Sequence, residues 1–251
     1  MKLKIKTPKG NYAYKLQVVY EGIKIMDKQI AKENLLLFNT IAYKFDLKFG
    51  LLYGTLLGAI REHDFISHDE DIDLFILKED LDKFKSMLFE LRNYGFEVIR
   101  YDRREGLCSI MRKGEYIDFY IFDVLTEGIR ETLGSPIPEK YLLNLEKYEF
   151  QGDWFWIPKD YKESLLFFYG KDWATPIKTK PYEMNRLKKL FIKLEWWVYF
   201  LMPDLLFVPI MEKRGRNKIN LYNKRARRLN SYMNENVLQE IPINIYKVKK
   251  R

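Results

Sequence analysis

The stretch YGTLLGAIREHDFISHDEDIDLFIL, Tyr53 to Leu77, decides how the rest of the chain is read. It opens on a glycine–threonine turn, TLLGAIR has the make-up of one or two helical turns, and EHDFISHDE is a polar loop. The closing DIDLFIL alternates, with Asp71 and Asp73 two residues apart and Ile72, Leu74 and Ile76 interleaved. In a strand, residues i and i+2 leave the same face. Both carboxylates therefore share one side, and the isoleucines and leucine anchor the other side in a core. Two carboxylates about 7 Å apart along a strand repel each other when ionised. A cation between them resolves that conflict, and an all-oxygen ligand set selects Mg2+ or Mn2+.

Working outward, KEDLDKFKSMLFELRNYG has acids near its start, apolar residues at helical spacing and Gly95 at its end, which predicts a helix. FEVIRY, LCSIMR and EYIDFYIFDVL follow as strands, separated by the turn-like DRREG and KG. Upstream, FGLLYG (49–54) reads as a short buried strand, and residues 17–45 as one or two helices. Residues 1–15 are basic and read as a strand or an arm. Residues 127–158 read as irregular, and PKDYKESLLFFYG as a helix ending at Gly170. The predicted class is α+β: a mixed β-sheet with flanking helices, and an α-helical, basic C-terminal extension. The expected division is a catalytic domain over 1–178 and an extension over 179–251.

In EYIDFYIFDV, Tyr116, Asp118 and Tyr120 share one face, which makes Asp118 a candidate third carboxylate if its strand neighbours that of Asp73. Asp123 lies on the same run but falls on the Ile121 side by alternation. The Gly54–Thr55 turn can offer backbone N–H groups and a hydroxyl to a phosphate at a helix start. Arg61, two turns on, can supply a charge-assisted contact to the same group or simply pair with neighbouring acids. His68 is close enough in sequence to line a nucleotide pocket, with a polar loop position as the plainer reading.

Composition limits the alternatives. With 47% hydrophobic and 16% aromatic residues the chain folds rather than staying disordered. One cysteine, Cys108, excludes an internal disulfide and any multi-cysteine metal site, and two histidines leave oxygen ligands as the source of metal binding. Together with no recognisable signal peptide, this predicts a cytoplasmic protein, with peripheral contact at the inner face of the membrane as an extension of that reading. Charge is lopsided: residues 178–251 hold 18 Lys/Arg against 6 Asp/Glu, whereas residues 1–177 hold 26 against 29. The basic surface and the acidic site are thus separate features, and the former suits an anionic membrane or a lipid-linked glycan rather than nucleic acid. The apolar run 190–211 is broken by Lys193, Glu195, Pro203, Asp204 and Pro209, so a spanning helix is not expected. It reads either as a core helix hairpin or as an interfacial anchor led by Trp196, Trp197, Tyr199 and Phe200.

GTLLGAIR followed by a loop and DEDIDLFI resembles the signature of the LicD/fukutin-type phosphotransferases, a branch of the nucleotidyltransferase superfamily. IPKDYKESLLFFYGKDWATPIK is similar to that family's downstream element, so the resemblance covers about residues 30 to 178. It implies transfer of a phospho-alcohol, such as phosphocholine or ribitol phosphate, from a CDP-linked alcohol donor to a glycan or lipid-linked glycan acceptor. By position, it implies metal binding by Asp71 and Asp73, phosphate contact at Gly54 and Thr55, and a base or ligand role for Asp118. The sequence departs from the family where Ser67 and His68 replace a usual proline–tryptophan pair, and where Asp64 stands at a common glycine. Two other classes compete: a nucleotidyltransferase that consumes a nucleoside triphosphate, and a basic binding module indifferent to divalent metal.

Overall fold

The computed structural model describes residues 2–20, 22–176 and 183–248. The expected domain boundary at 178/179 lies outside the described residues. The basic N-terminus is a hairpin, β1 (Lys2–Thr7) and β2 (Gly10–Lys15), paired antiparallel. Among the described residues between 17 and 45, helix α1 (Lys28–Lys44) is the one helix that forms. The Asp27 side chain caps it, accepting from the N–H groups of Gln29 (2.9 Å) and Ile30 (3.1 Å).

Next come β3 (Gly50–Leu51), α2 (Tyr53–Arg61), β4 (Ile72–Leu77) and α3 (Leu81–Asn93). The meander β5 (Glu97–Tyr101), β6 (Leu107–Arg112), β7 (Glu115–Thr126) follows as expected. Residues 127–158 are not irregular. They form β8 (Ile129–Thr132), β9 (Ser135–Pro138), the short α4 (Lys140–Leu143), β10 (Leu145–Phe150) and β11 (Asp153–Pro158). The tight connections Leu133–Gly134 and Gln151–Gly152 have positive φ at both residues, the backbone that two-residue hairpins require. The last elements are α5 (Tyr161–Tyr169), α6 (Arg186–Leu201) and α7 (Asp204–Met233).

Among the described residues, nine strands form one mixed sheet, in the order β10-β11-β3-β4-β7-β6-β5 with β8 and β9 continuing from β7. The centre is the parallel pair β4–β7, flanked by antiparallel β3 and β6. One face buries Ile72, Leu74 and Ile76 beside Ile117, Phe119 and Ile121. Against it pack α1 and α3, whose Phe38 and Phe84 rings each lie 4.7 Å from Phe119.

The other face is split along its length. Towards the C-terminal ends of β4 and β7, Phe75 and Phe122 join a second core with Phe167 of α5 and Ile219, Tyr222 and Ala226 of α7. Towards the N-terminal ends, the same face carries Asp73 and Asp118 in place of apolar residues. The basic C-terminal helix α7 thus covers the apolar end of the face whose other end is acidic. Its sister α6 differs, because none of its residues is buried. Of the two readings of 190–211, the core hairpin therefore holds for the inner side of α7, where Phe207 and Met211 are buried, and not for α6.

Candidate active site

Parallel pairing of β4 with β7 sets Asp73 directly opposite Asp118. Asp71 precedes β4 by one residue, and Asp69 closes the loop before it. All four carboxylates line one cavity of about 820 Å3, together with Gly54, Arg61 and His68. Asp123 is not among its lining residues and faces a different cavity, so geometry favours Asp118 as the third carboxylate.

The site is electrostatically loaded. Burial, then the neighbouring charges of Asp73 and Asp118, push the Asp71 carboxyl well above the usual carboxylate range. Burial, then Asp69 and Asp118, do the same to Asp73. Burial also raises Asp69. Set against this are the amide of Gly54, which donates to Asp73 Oδ2 at 3.0 Å, and the Tyr120 hydroxyl, which hydrogen-bonds the same carboxylate. Because Gly54 is in the first turn of α2, the positive end of that helix also faces Asp73.

Here two expectations are corrected. The Gly54 amide is spent on Asp73 and is not free for a phosphate. Thr55 is buried, absent from the cavity lining, and its hydroxyl accepts the Asp73 backbone N–H at 2.8 Å. The threonine ties the helix start to β4, so its side chain points back into the protein. Gly54 is needed for space as well: a Cβ there would stand 2.5 Å from Asp69 Oδ2. Arg61 lines the cavity, yet its guanidinium already donates to the Trp173 carbonyl (3.2 Å) and to Glu62 (2.7 Å), leaving the buried Nε without a partner.

Several site residues were not among the sequence candidates. Arg100 is ion-paired with Asp118 Oδ2, and its Nε donates to Ser109 Oγ at 2.8 Å. It reaches the site because the β5–β6 register slips between Val98 and Arg100. Without that bulge, strand alternation would send Arg100 to the core face that Val98 occupies. No sequence pattern signals it. Tyr116 and Tyr120 line the cavity on the face of Asp118, which alternation does signal. Tyr53, Tyr169 and Trp173 complete an aromatic wall. Tyr53 holds φ at +37°, an unfavourable backbone for a side-chain-bearing residue, while its ring packs edge-on against Tyr120 at 5.0 Å and Phe168 at 5.1 Å.

Whether these groups fit a divalent cation is a question of donors. Asp118 Oδ1 and Asp69 Oδ2 are buried oxygens with no hydrogen-bond partner. Buried acceptors of that kind are costly unless something fills them. Among the described residues, no three His, Cys, Asp or Glu side chains stand close enough together to hold a metal ion as they are placed. An open, carboxylate-only donor set fits Mg2+ or Mn2+, ions that keep water or phosphate ligands beside one or two carboxylates.

Residues 46–160 match the family described as LicD/FKTN/FKRP, nucleotidyltransferase domain. An uncharacterized protein of Rickettsia typhi is 27% identical over 235 residues, covering 84% of this chain and 74% of that one. A second, from Rickettsia prowazekii, is 27% identical, with 63% of this chain and 60% of its own length covered. An uncharacterized Caenorhabditis elegans protein is 27% identical over 63% of this chain and 46% of its own. The chain thus spans less than two thirds of the latter two relatives. Among solved structures, the solution structure of the antibiotic-resistance factor ANT(2'')-Ia aligns with TM-score 0.43 and 14% identity, over 69% of this chain and 95% of that chain. The crystal structure of ANT(2'')-Ia with adenylyl-2''-tobramycin aligns with TM-score 0.33 and 12% identity, over 80% and 89%. At these scores the likeness is a loose one.

Proposed function

From the match of residues 46–160 to the family described as LicD/FKTN/FKRP, nucleotidyltransferase domain, we propose that the chain is a metal-dependent phosphotransferase. It moves a phospho-alcohol, phosphocholine or ribitol phosphate or a relative, from a CDP-linked donor to a hydroxyl of a glycan or lipid-linked glycan. The observation that supports this most directly is the opposition of Asp73 and Asp118, joined by Asp71 and Asp69 in one cavity, with two of their buried oxygens unpartnered.

Asp71 and Asp73 would hold the Mg2+ or Mn2+ ion, with Asp118 as the third ligand or acceptor-side carboxylate. The ion, when bound, supplies positive charge against the donor diphosphate. Every other role falls to side chains. The Gly54 amide and the Tyr120 hydroxyl orient Asp73. Arg100 engages Asp118 Oδ2, which leaves the buried Oδ1 as that carboxylate's unpartnered oxygen. The aromatic wall of Tyr53, Tyr169 and Trp173 suits the flat cytosine ring and keeps bulk water off the reacting phosphorus.

In the transfer itself, the acceptor oxygen forms a bond to the phosphorus that bears the alcohol. The bond from that phosphorus to the bridging oxygen breaks, and CMP leaves with the electron pair. The acceptor proton passes to an unengaged carboxylate oxygen. Asp69, whose affinity for a proton is raised by burial, is suited to receive it, as is Asp118 through its unpartnered Oδ1.

The test is a thermal-shift panel of CDP-choline, CDP-ribitol, CDP-glycerol, CTP and ATP, each with and without Mg2+ or Mn2+. A ligand that binds the folded state raises the melting temperature by mass action. A metal-dependent shift with one CDP-alcohol, lost in Asp71→Asn, supports the reading and names the donor. Shifts with triphosphates alone transfer the assignment to a nucleotidyltransferase. Asp71→Asn should abolish turnover. It should leave the melting temperature in chelator unchanged or higher, since it removes one of several crowded like charges. Wild-type turnover in that variant would sink the metal assignment.

A further inference from the structure

Helix α6 is attached by one side only. Its inner side consists of the half-buried Ile192, Trp196, Tyr199 and Phe200. The Tyr199 hydroxyl bonds Asp102, and its ring lies 5.2 Å from Phe207 of α7. The Arg100 guanidinium sits 5.5 Å from the Trp196 ring. Arg103 secures the elbow between the two helices, donating to the carbonyls of Tyr199 (3.0 Å) and Met202 (2.7 Å) and pairing with Asp204. Three of the four aromatic residues expected to enter a leaflet, Trp196, Tyr199 and Phe200, are therefore turned towards the protein.

The outer side is apolar instead. Leu187, Leu190, Phe191, Leu194, Val198 and Leu201 are all exposed, Leu187 by 67% and Phe191 by 69%. Trp197 sits among them, 39% exposed. Their spacing of three and four residues draws one straight stripe along the helix. Beyond the elbow, Leu205, Leu206 and Ile210 of α7 are exposed as well, Leu205 by 85%. One turn further along α7, Lys213 and Arg214 are exposed, Arg214 lying 3.7 Å from Glu195 of α6. Arg186, Lys188 and Lys193, also exposed, border the stripe on α6. A ridge of this length left bare in water marks a contact surface.

We infer that the outer side of the α6–α7 elbow docks on the surface of an anionic lipid bilayer. The apolar stripe would reach the boundary of the acyl chains, with Arg186, Lys188, Lys193 and Lys213 at the headgroups. Charge decides between a bilayer and a second copy of this chain. Around the stripe the exposed charges are Arg186, Lys188, Lys193, Lys213 and Arg214 against Glu195 and Asp204, so pairing two such elbows would bring like charges together. The seat is on the surface. No single described helix is long and apolar enough to cross a membrane, and α6 with α7 passes on length and composition only when joined across a 115° bend. The inference goes beyond the proposed transfer reaction and does not depend on which group the site moves.

The experiment is flotation of the full chain with phosphatidylcholine vesicles, with and without about 30% phosphatidylglycerol. The expected result is flotation with the anionic vesicles, weakened by added salt, and a blue shift of tryptophan emission on binding. Phe191→Glu with Leu194→Glu should lower partitioning by about ten-fold or more, without change in melting temperature. If that double variant misfolds, Leu190→Ser with Leu194→Ser serves instead. Lys188→Glu with Lys193→Glu should weaken binding to anionic vesicles alone. Absence of flotation, or equal flotation of the stripe variants, overturns the inference. So does a dimer in sedimentation velocity that the stripe variants dissociate, because the surface would then belong to a second copy.

Discussion

Asp73 and Asp118 are register partners on adjacent parallel strands, and a buried arginine, Arg100, is ion-paired with the second of them. The site is thus a negatively charged cluster with a built-in counter-charge on one flank. Removing Arg100 strands the Asp118 charge, and breaking a buried pair from one side costs about 3–5 kcal/mol. Arg100→Ala should lower unfolding free energy by that order in urea melts. Asp118→Asn in the Arg100→Ala background should recover a good part of the loss. Independent, additive effects would show that the pair does not stabilise the fold.

Gly54 lies where α2 starts, and its missing Cβ leaves room for two carboxylates, Asp69 Oδ2 at 2.5 Å and Asp73 Oδ2 at 3.3 Å from the position a Cβ would take. Alanine favours a helix over glycine by up to about 1 kcal/mol. Gly54→Ala should therefore leave the melting temperature within about 3 °C of the parent. The displaced carboxylates should cost about a hundred-fold in turnover. Retained turnover would show that Asp69 and Asp73 need not hold these positions.

Glu105 stands between two ammonium groups, Lys78 at 2.7 Å and Lys85 at 2.8 Å. Burial pushes its carboxyl upward, but the two lysines outweigh this and hold it down to about 2 against an ordinary 4.5. The folded state therefore releases this proton more readily than the unfolded chain. The resulting stability is full above about pH 4.5 and is lost as pH falls through about 2. Glu105→Gln should be about 2 kcal/mol less stable at neutral pH, allowing for partial solvent screening. Melts run down the pH scale should converge for the two proteins; a gap that persists at pH about 2 would contradict the ion-pair account.

The centre of the fold is legible in the sequence because strand alternation is local. Asp73 and Asp118 announce their faces within their own strands, with Asp71 just ahead of β4, and the parallel pairing of β4 with β7 brings those faces together. What alternation cannot convey is a break in itself. Arg100 reaches Asp118 through a bulge, and nothing in FEVIRY marks the extra residue. The hairpins within 127–158 were hidden for a related reason. Their strands are short, β9 carries two prolines, and β10 mixes charged and apolar residues without regular alternation on a half-exposed edge. The two-residue Leu133–Gly134 and Gln151–Gly152 turns were the signal available. For α6, composition identified an amphipathic segment, but which aromatics face outward depends on where Arg103 and Asp102 hold the helix.

The junction between β11 and β3 is a single register pair, Trp156 with Gly50. The β10–β11 hairpin is thus knit to itself along its length and stitched to the rest of the sheet at one point. Its attachment otherwise rests on side chains such as Phe155, 6.1 Å from Phe49. Amide hydrogen exchange should find this hairpin opening as its own unit, ahead of β4, β7 and β6. Because α5 and the segment carrying Tyr169 and Trp173 follow β11 directly, each such excursion would loosen one wall of the cavity. On the proposed reaction, the rate at which donor enters and spent nucleotide departs would then be set by breathing at the sheet's edge rather than by the carboxylates at its centre.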